Sequence, residues 1–234
     1  KNKYQLNEIN LVIEALKNHN SSTSLATEFE SKFSKRIGTK YAIACNSGTS
    51  GLHAALYAAG VGPGDEVIIP ALTVFMDAFA VIHMGAVPIF ADIDEDTHLI
   101  SVQDIKIKIT NKTKAIIAVS WEGISCDMDE IMQIANKNSI IVIDDSARAI
   151  LNTYKGRLSG NNAHISVFSF EAKKHITTGG EGGMIVTNDY LLAEKSRKFA
   201  GIGYKHLTAE AGKTHLAQAD IQRPDYKRYD VIGL

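Results

Sequence analysis

Seven short runs rich in β-branched residues recur along the 234 residues: "KYAIAC", "EVIIP", "VPIFADI", "KAIIAV", "SIIVIDD", "HISVFSF" and "GMIVTN". Several are apolar at nearly every position. A strand with one face in water alternates apolar and polar residues, so an uninterrupted apolar strand must be covered on both faces. Between the runs lie segments with apolar residues at helical spacing, among them "GLHAALYAAG", Thr73 to Met84 and Met128 to Asn138. Helices so placed suit the crossovers that join parallel strands. The expected fold is α/β, a mainly parallel seven-stranded sheet flanked by helices. Local signals agree: "NSGTS" offers hydroxyl caps for a helix that ends at Gly60, and "GVGPGDE" turns the chain into the next strand.

The two ends read differently from this body. Residues 1–37 form two amphipathic helices joined by "NSSTS", with Phe29, Phe33 and Ile37 on one side of the second, an N-terminal helical arm. Residues 38–203 carry the sheet, and 204–234 read as a loop segment with no closing helix, as in a chain cut short of a further domain. A formal net charge of -1 without long basic runs leaves no electrostatic footprint for nucleic acid. No stretch approaches the roughly 18 consecutive apolar residues of a membrane span, and the start is too polar for a signal peptide. A cytoplasmic location is therefore expected. The two cysteines, Cys45 and Cys126, are read as reduced, and the eight histidines lack metal spacing.

Ligands of open α/β sheets bind at the carboxyl ends of the strands, so the loops there are where chemistry is sought. "NSGTSGLH", Asn46 to His53, places a glycine among hydroxyl residues at a helix start, which is either an ordinary cap or a phosphate cradle. "IIVIDDSARA" ends a strand on Asp144 and Asp145, with Arg148 three residues on. A carboxylate there caps a loop, binds a metal, orients a base, or pairs with a protonated pyridine nitrogen. "SFEAKKHITTGGEGG" holds Lys173 and Lys174 among glycines: two solvated charges, or a Schiff-base lysine made neutral by desolvation or a neighbouring cation. A phosphate cradle, an acid and a lysine at three strand ends are together the groups that hold pyridoxal phosphate.

These segments, in this order from Phe29 to Gly203, resemble the DegT-type sugar aminotransferases, pyridoxal-phosphate enzymes of the aspartate aminotransferase fold. The resemblance is carried by "NSGTSGLHAAL", "GPGDEVIIPALT", "GAVPIFADID", "TKAIIAV", "IDDSARA" and "SFEAKKHITTGGEGGMIVTND". It implies that Gly48, Thr49 and Ser50 form the phosphate-binding helix start. Ser169 becomes a further phosphate ligand, and Lys174, five residues on, the Schiff-base lysine. Lys173 falls on a position without catalytic duty. Asp145 matches the acid that keeps the pyridine nitrogen protonated. Arg148 stands at a cofactor-side position where the family often has Gln or His, and Val74 where an aromatic often stacks on the ring, with Phe75 beside it. "TTGGEGG" has one glycine more than the usual loop, and "VSWEG" puts Trp121 and Glu122 on the presumed substrate side.

The implied reaction moves an amino group from a donor, expected to be glutamate, to a keto sugar, either nucleotide-linked or a free sugar acid, in surface-polysaccharide or glycosylated-metabolite biosynthesis. Lys174 is the implied proton carrier. The family adds a smaller C-terminal domain and works as a homodimer with shared active sites. Two alternatives stand beside this. A dehydratase branch replaces the lysine with histidine, for which His175 is one place late, and a non-catalytic member would use the fold only to bind a ligand.

Overall fold

The structure, a computed structural model, describes residues 4–17, 25–213, 216–231 and 233; the "NSSTS" linker expected at residues 20–24 lies outside them. In chain order the elements are α1 (Leu6–Lys17), α2 (Leu25–Ile37), β1 (Tyr41–Cys45), α3 (Gly48–Ala58), β2 (Glu66–Pro70), α4 (Phe75–His83) and β3 (Val87–Ala91). They continue with α5 (Val102–Lys108), β4 (Thr113–Val119), α6 (Met128–Lys137), β5 (Ile141–Asp145), β6 (Thr153–Tyr154) and β7 (Arg157–Leu158). Then come β8 (Ile165–Ser169), β9 (Gly183–Thr187), α7 (Tyr190–Ala200) and a last short turn, α8 (Gln218–Ile221). All seven apolar runs become strands of one sheet, in the order β1-β9-β8-β5-β4-β2-β3. Only β9 runs antiparallel to its neighbours. It follows β8 through a loop with no crossover helix, and a direct return of this kind is antiparallel.

The missing alternation has the expected cause. Ile116 and Ile117 are adjacent and wholly buried, but they enter different cores on the two faces of the sheet. Each such burial contributes roughly 1.5–3 kcal/mol, which is why both positions are apolar. One core is formed under α3, α4 and α7, the other under α5 and α6. A third cluster seats Phe33 and Ile37 of α2 on Phe168, Phe170, Met184 and Val186. By contrast α1 buries no residue, leaving Leu6, Leu11, Val12 and Leu16 exposed.

The edge strand β1 is protected by charge. Glu30 of α2 accepts the Ala44 N–H at 2.8 Å and pairs with Arg197 of α7 at 2.9 Å, while Arg197 donates to the Ala42 carbonyl at 3.0 Å. The two helices thus clamp the outer backbone groups of β1, groups that would otherwise offer a template for another strand. The hairpin β6–β7 was not foreseen from the sequence. Its turn residues Lys155 and Gly156 have φ of 49° and 80°, the paired positive values of a tight hairpin turn, with a lysine where asparagine or aspartate would usually announce it. Among the described residues no helix is long and apolar enough to cross a membrane.

Candidate active site

The carboxyl ends of β2, β4, β5 and β8 share one side of the sheet, where this architecture leaves a crevice. A cavity of about 250 Å³ opens there, and Gly48, Thr49, Asp145, Ser169 and Lys174 all line it. These residues come from three loops far apart in the chain. Arg148 borders a smaller cavity of about 20 Å³, which shares Val74, Asp145, Ala147 and Lys174 with the larger one and adds Trp121. Ser50 lies elsewhere, beside Ala44, Cys45 and Asn46 at the end of β1.

The first wall is the start of α3. The opening N–H groups of a helix have no acceptor within it. Here the Ser47 hydroxyl accepts from Ser50 N at 3.1 Å, and the Ser47 carbonyl accepts from Gly51 N at 3.0 Å. The N–H groups of Gly48 and Thr49 remain at the cavity with the positive end of the helix dipole, a setting for phosphate. Ser169, the last residue of β8, closes against this turn. A Cβ on Gly48 would come 2.8 Å from Ser169 Cβ, so the glycine lets the hydroxyl and the helix start converge. Ser47, which the sequence pattern marked only as a cap, also lines the cavity.

The second wall is β5. Side chains alternate along a strand, and Asp145 points with Ile143 toward the α3 side while Asp144 points with Val142 toward the other. Asp145 is 4% exposed and accepts the Ala147 N–H at 2.9 Å. Burial pushes its carboxyl above the usual value, opposed by that N–H, by the charge of Lys174 and by Asp77.

The third wall is the loop after β8. Its turns are closed by Lys174 N to the Glu171 carbonyl and Ala172 N to the Gly180 carbonyl, at 2.9 and 2.8 Å. These turns separate the two lysines. Lys173 is exposed, with its N–H on a Glu171 carboxylate oxygen at 2.9 Å, whereas Lys174 is half-buried in the cavity wall. The glycine pair does not displace it. Gly179 and Gly180 have φ of 94° and 133°, the positive values that favour glycine, and Gly180 is bridged to Glu171, so the pair closes the loop while Lys174 stays in the cavity wall. His175 is exposed and outside the cavity lining.

The remaining nominated residues form a rim. Phe75 and Val74 enter the cavity wall from the start of α4. Glu122, with φ of 50°, kinks a 3-10 turn over Trp121–Gly123 and stands 4.0 Å from Arg148. That pair is half exposed on both sides and contributes little to stability. Neither cysteine competes as a nucleophile. Burial pushes the Cys45 and Cys126 thiols up to about 12, far from the thiolate form.

Comparison with known proteins places the whole chain among relatives of one kind. GDP-perosamine synthase of Caulobacter vibrioides is 47% identical over 176 residues, which is 75% of this chain and 47% of that protein. An aminotransferase from Psychrobacter cryohalolentis shares the fold with a TM-score of 0.86 at 36% identity, over 99% of this chain and 57% of that one. NtdA from Bacillus subtilis, solved with its cofactor PMP bound, gives 0.81 at 31% identity over 98% and 49%. The chain spans about half the length of the curated relatives it matches. A model of the DegT/DnrJ/EryC1/StrS aminotransferase family matches residues 3–219, and the chain belongs to that family.

Proposed function

We propose that this protein is a pyridoxal-phosphate-dependent aminotransferase that passes an amino group from glutamate to a keto sugar. The observation that carries the proposal is the convergence of Lys174, Asp145, Ser169 and the open N–H groups of α3 on one cavity. The residues fit the cofactor: an anion cradle narrowed by Gly48 at one end, a buried carboxylate in the middle and a primary amine facing it. When bound, the cofactor supplies an electron sink and carries the amine between donor and acceptor.

The chain's own groups do the rest. Gly48 and Thr49 N–H with the Ser47, Thr49 and Ser169 hydroxyls would hold the phosphate and so anchor the cofactor beside Lys174. Asp145 holds a proton on the ring nitrogen by pairing its negative charge with it. The Lys174 amine would hold the cofactor through its aldehyde carbon. The same amine, when free, would serve as the base that removes the donor's Cα proton and as the acid that returns it, in either half of the transfer. Arg148, Trp121 and Glu122 at the rim would meet the sugar, nucleotide-linked or a free sugar acid. Phe75, Phe79 and Ile82 are exposed on one side of α4 beside the cavity, and this face suits the second subunit of a homodimer.

Borohydride reduction in the presence of pyridoxal phosphate tests the assignment. The expected outcome is one pyridoxyl group on Lys174, mapped by peptide mass, and none in Lys174→Ala. Before reduction, the cofactor absorbance should shift when glutamate is added. Protein that takes up no cofactor, or that is labelled elsewhere, would overturn the proposal. The exposed position of His175 disfavours the dehydratase variant.

A further inference from the structure

Asp77 lies in the first turn of α4, inside a run of apolar residues, and is wholly buried. One carboxyl oxygen, Oδ2, accepts a hydrogen bond from the Thr73 hydroxyl. The other, Oδ1, is buried with no donor, and the carboxyl group of Asp145 is near enough for its charge to act on Asp77. Two carboxylate oxygens both accept, so they attract each other only if one of them carries a proton. The charge of Lys174 acts on both acids.

We propose that Asp77 is a positioning residue: it keeps its proton and donates it to Asp145, holding that carboxylate charged and oriented toward the cavity. The proposal rests on Asp145 being the partner of the cofactor's ring nitrogen. The proton belongs on Asp77 because Asp145 has the Ala147 N–H at 2.9 Å, while Asp77 has only a hydroxyl. The dipole of α4 favours an anion in its first turn only weakly. An unpaired buried charge costs several times more than that gain, so burial wins. In agreement, burial and then the Asp145 charge push Asp77 well above the usual carboxylate range. A carboxylate has about four acceptor sites. With Ala147 and Asp77 as donors, Asp145 is fixed in its plane and still has lone pairs for a ring N–H.

The same short segment also supplies Val74, Phe75 and Met76 to the cavity wall. The start of α4 therefore shapes the cavity and sets the charge of its acid together.

The test compares Asp77→Asn, whose amide can donate the same hydrogen bond without a charge, with Asp77→Ala. Two quantities are measured on each: the dissociation constant for pyridoxal phosphate, and the infrared carbonyl band of a protonated carboxylic acid at pH 8 without cofactor. We expect wild-type protein to show that band and Asp77→Asn to lack it while binding the cofactor within about 3-fold of wild type. Asp77→Ala should bind at least 10-fold more weakly. Absence of the band in wild type, its persistence in Asp77→Asn, equal loss of affinity in both variants, or no loss in Asp77→Ala would each overturn the proposal. If Asp77→Ala fails to fold, the band and the affinity of Asp77→Asn decide. A wild type that shows the band but binds no cofactor would sink the functional assignment and leave the shared proton standing.

Discussion

Asp144 and Asp145 end the same strand and are both buried, at 2% and 4% exposure, but the pleat sends them to opposite faces. Asp144 is enclosed by its own donors. The Ser146 hydroxyl donates to Oδ2 at 2.7 Å and the Ser120 hydroxyl to Oδ1 at 3.2 Å. Asp145 has one backbone donor, a buried acid neighbour and an amine, and it lines a cavity together with Ala147 and Lys174. One carboxyl is satisfied within the protein, and the other is arranged to be completed by something that enters. Burial alone does not separate a structural acid from a functional one; the set of donors does.

The largest expected effect comes from removing the charge that faces the cavity. Asp145→Asn should slow the glutamate half-reaction, followed by cofactor absorbance, by roughly 10²- to 10³-fold, or about 3–4 kcal/mol of transition-state stabilisation. Asp144→Asn should stay within about 3-fold of wild type in the same assay. Equal losses would erase the distinction between the two faces.

The second effect reverses the comparison, because Asp144 should govern stability. Burial pushes its carboxyl from 3.8 to about 6. Between those values the folded state binds more protons than the unfolded state, so stability falls as pH rises through the window and stays lowered above it. The lost stability is on the order of 3 kcal/mol. Asp144→Asn, whose amide can still serve both serine hydroxyls, should therefore exceed wild type in urea denaturation at pH 8 by up to about that amount. The gain should vanish below about pH 4. A variant that is no more stable at pH 8 would show that the hydroxyls already compensate the buried charge.

Much of this was legible in the chain itself. The seven apolar runs marked the sheet because each central position had to be apolar on both faces, as Ile116 and Ile117 show. Gly48, Thr49, Asp145, Ser169 and Lys174 were marked because strand ends, a helix start and family spacing all pointed to them. Other features left no local trace. Lys155–Gly156 is a hairpin turn with a lysine in place of the usual asparagine or aspartate, and each strand beside it has only two residues, too few to show a period. Asp77 reads as one polar position in an apolar helix. Its meaning comes from the approach of α4 to the end of β5, a contact between residues 68 positions apart. The closure of the loop at Gly179–Gly180 likewise depends on a bridge to Glu171 that no spacing rule describes.

The smallest expected effect sharpens the reading of Asp144 as an acid satisfied within the protein. Ser146→Ala removes its shorter hydroxyl bond. At pH 8, where the group is mostly ionised, a buried anionic oxygen is left without that donor, which costs about 1–3 kcal/mol. At pH 4 the carboxyl is protonated and the hydroxyl bond is one between neutral partners, so the loss should shrink to about 1 kcal/mol or less. Urea denaturation at the two pH values measures the difference, and in an Asp144→Asn background the pH dependence of the Ser146→Ala loss should disappear. If it persists there, the serine acts through another titrating group. The cofactor dissociation constant should not move in any of these variants, because Ser146 and Asp144 face away from the wall that Asp145 shares with Lys174.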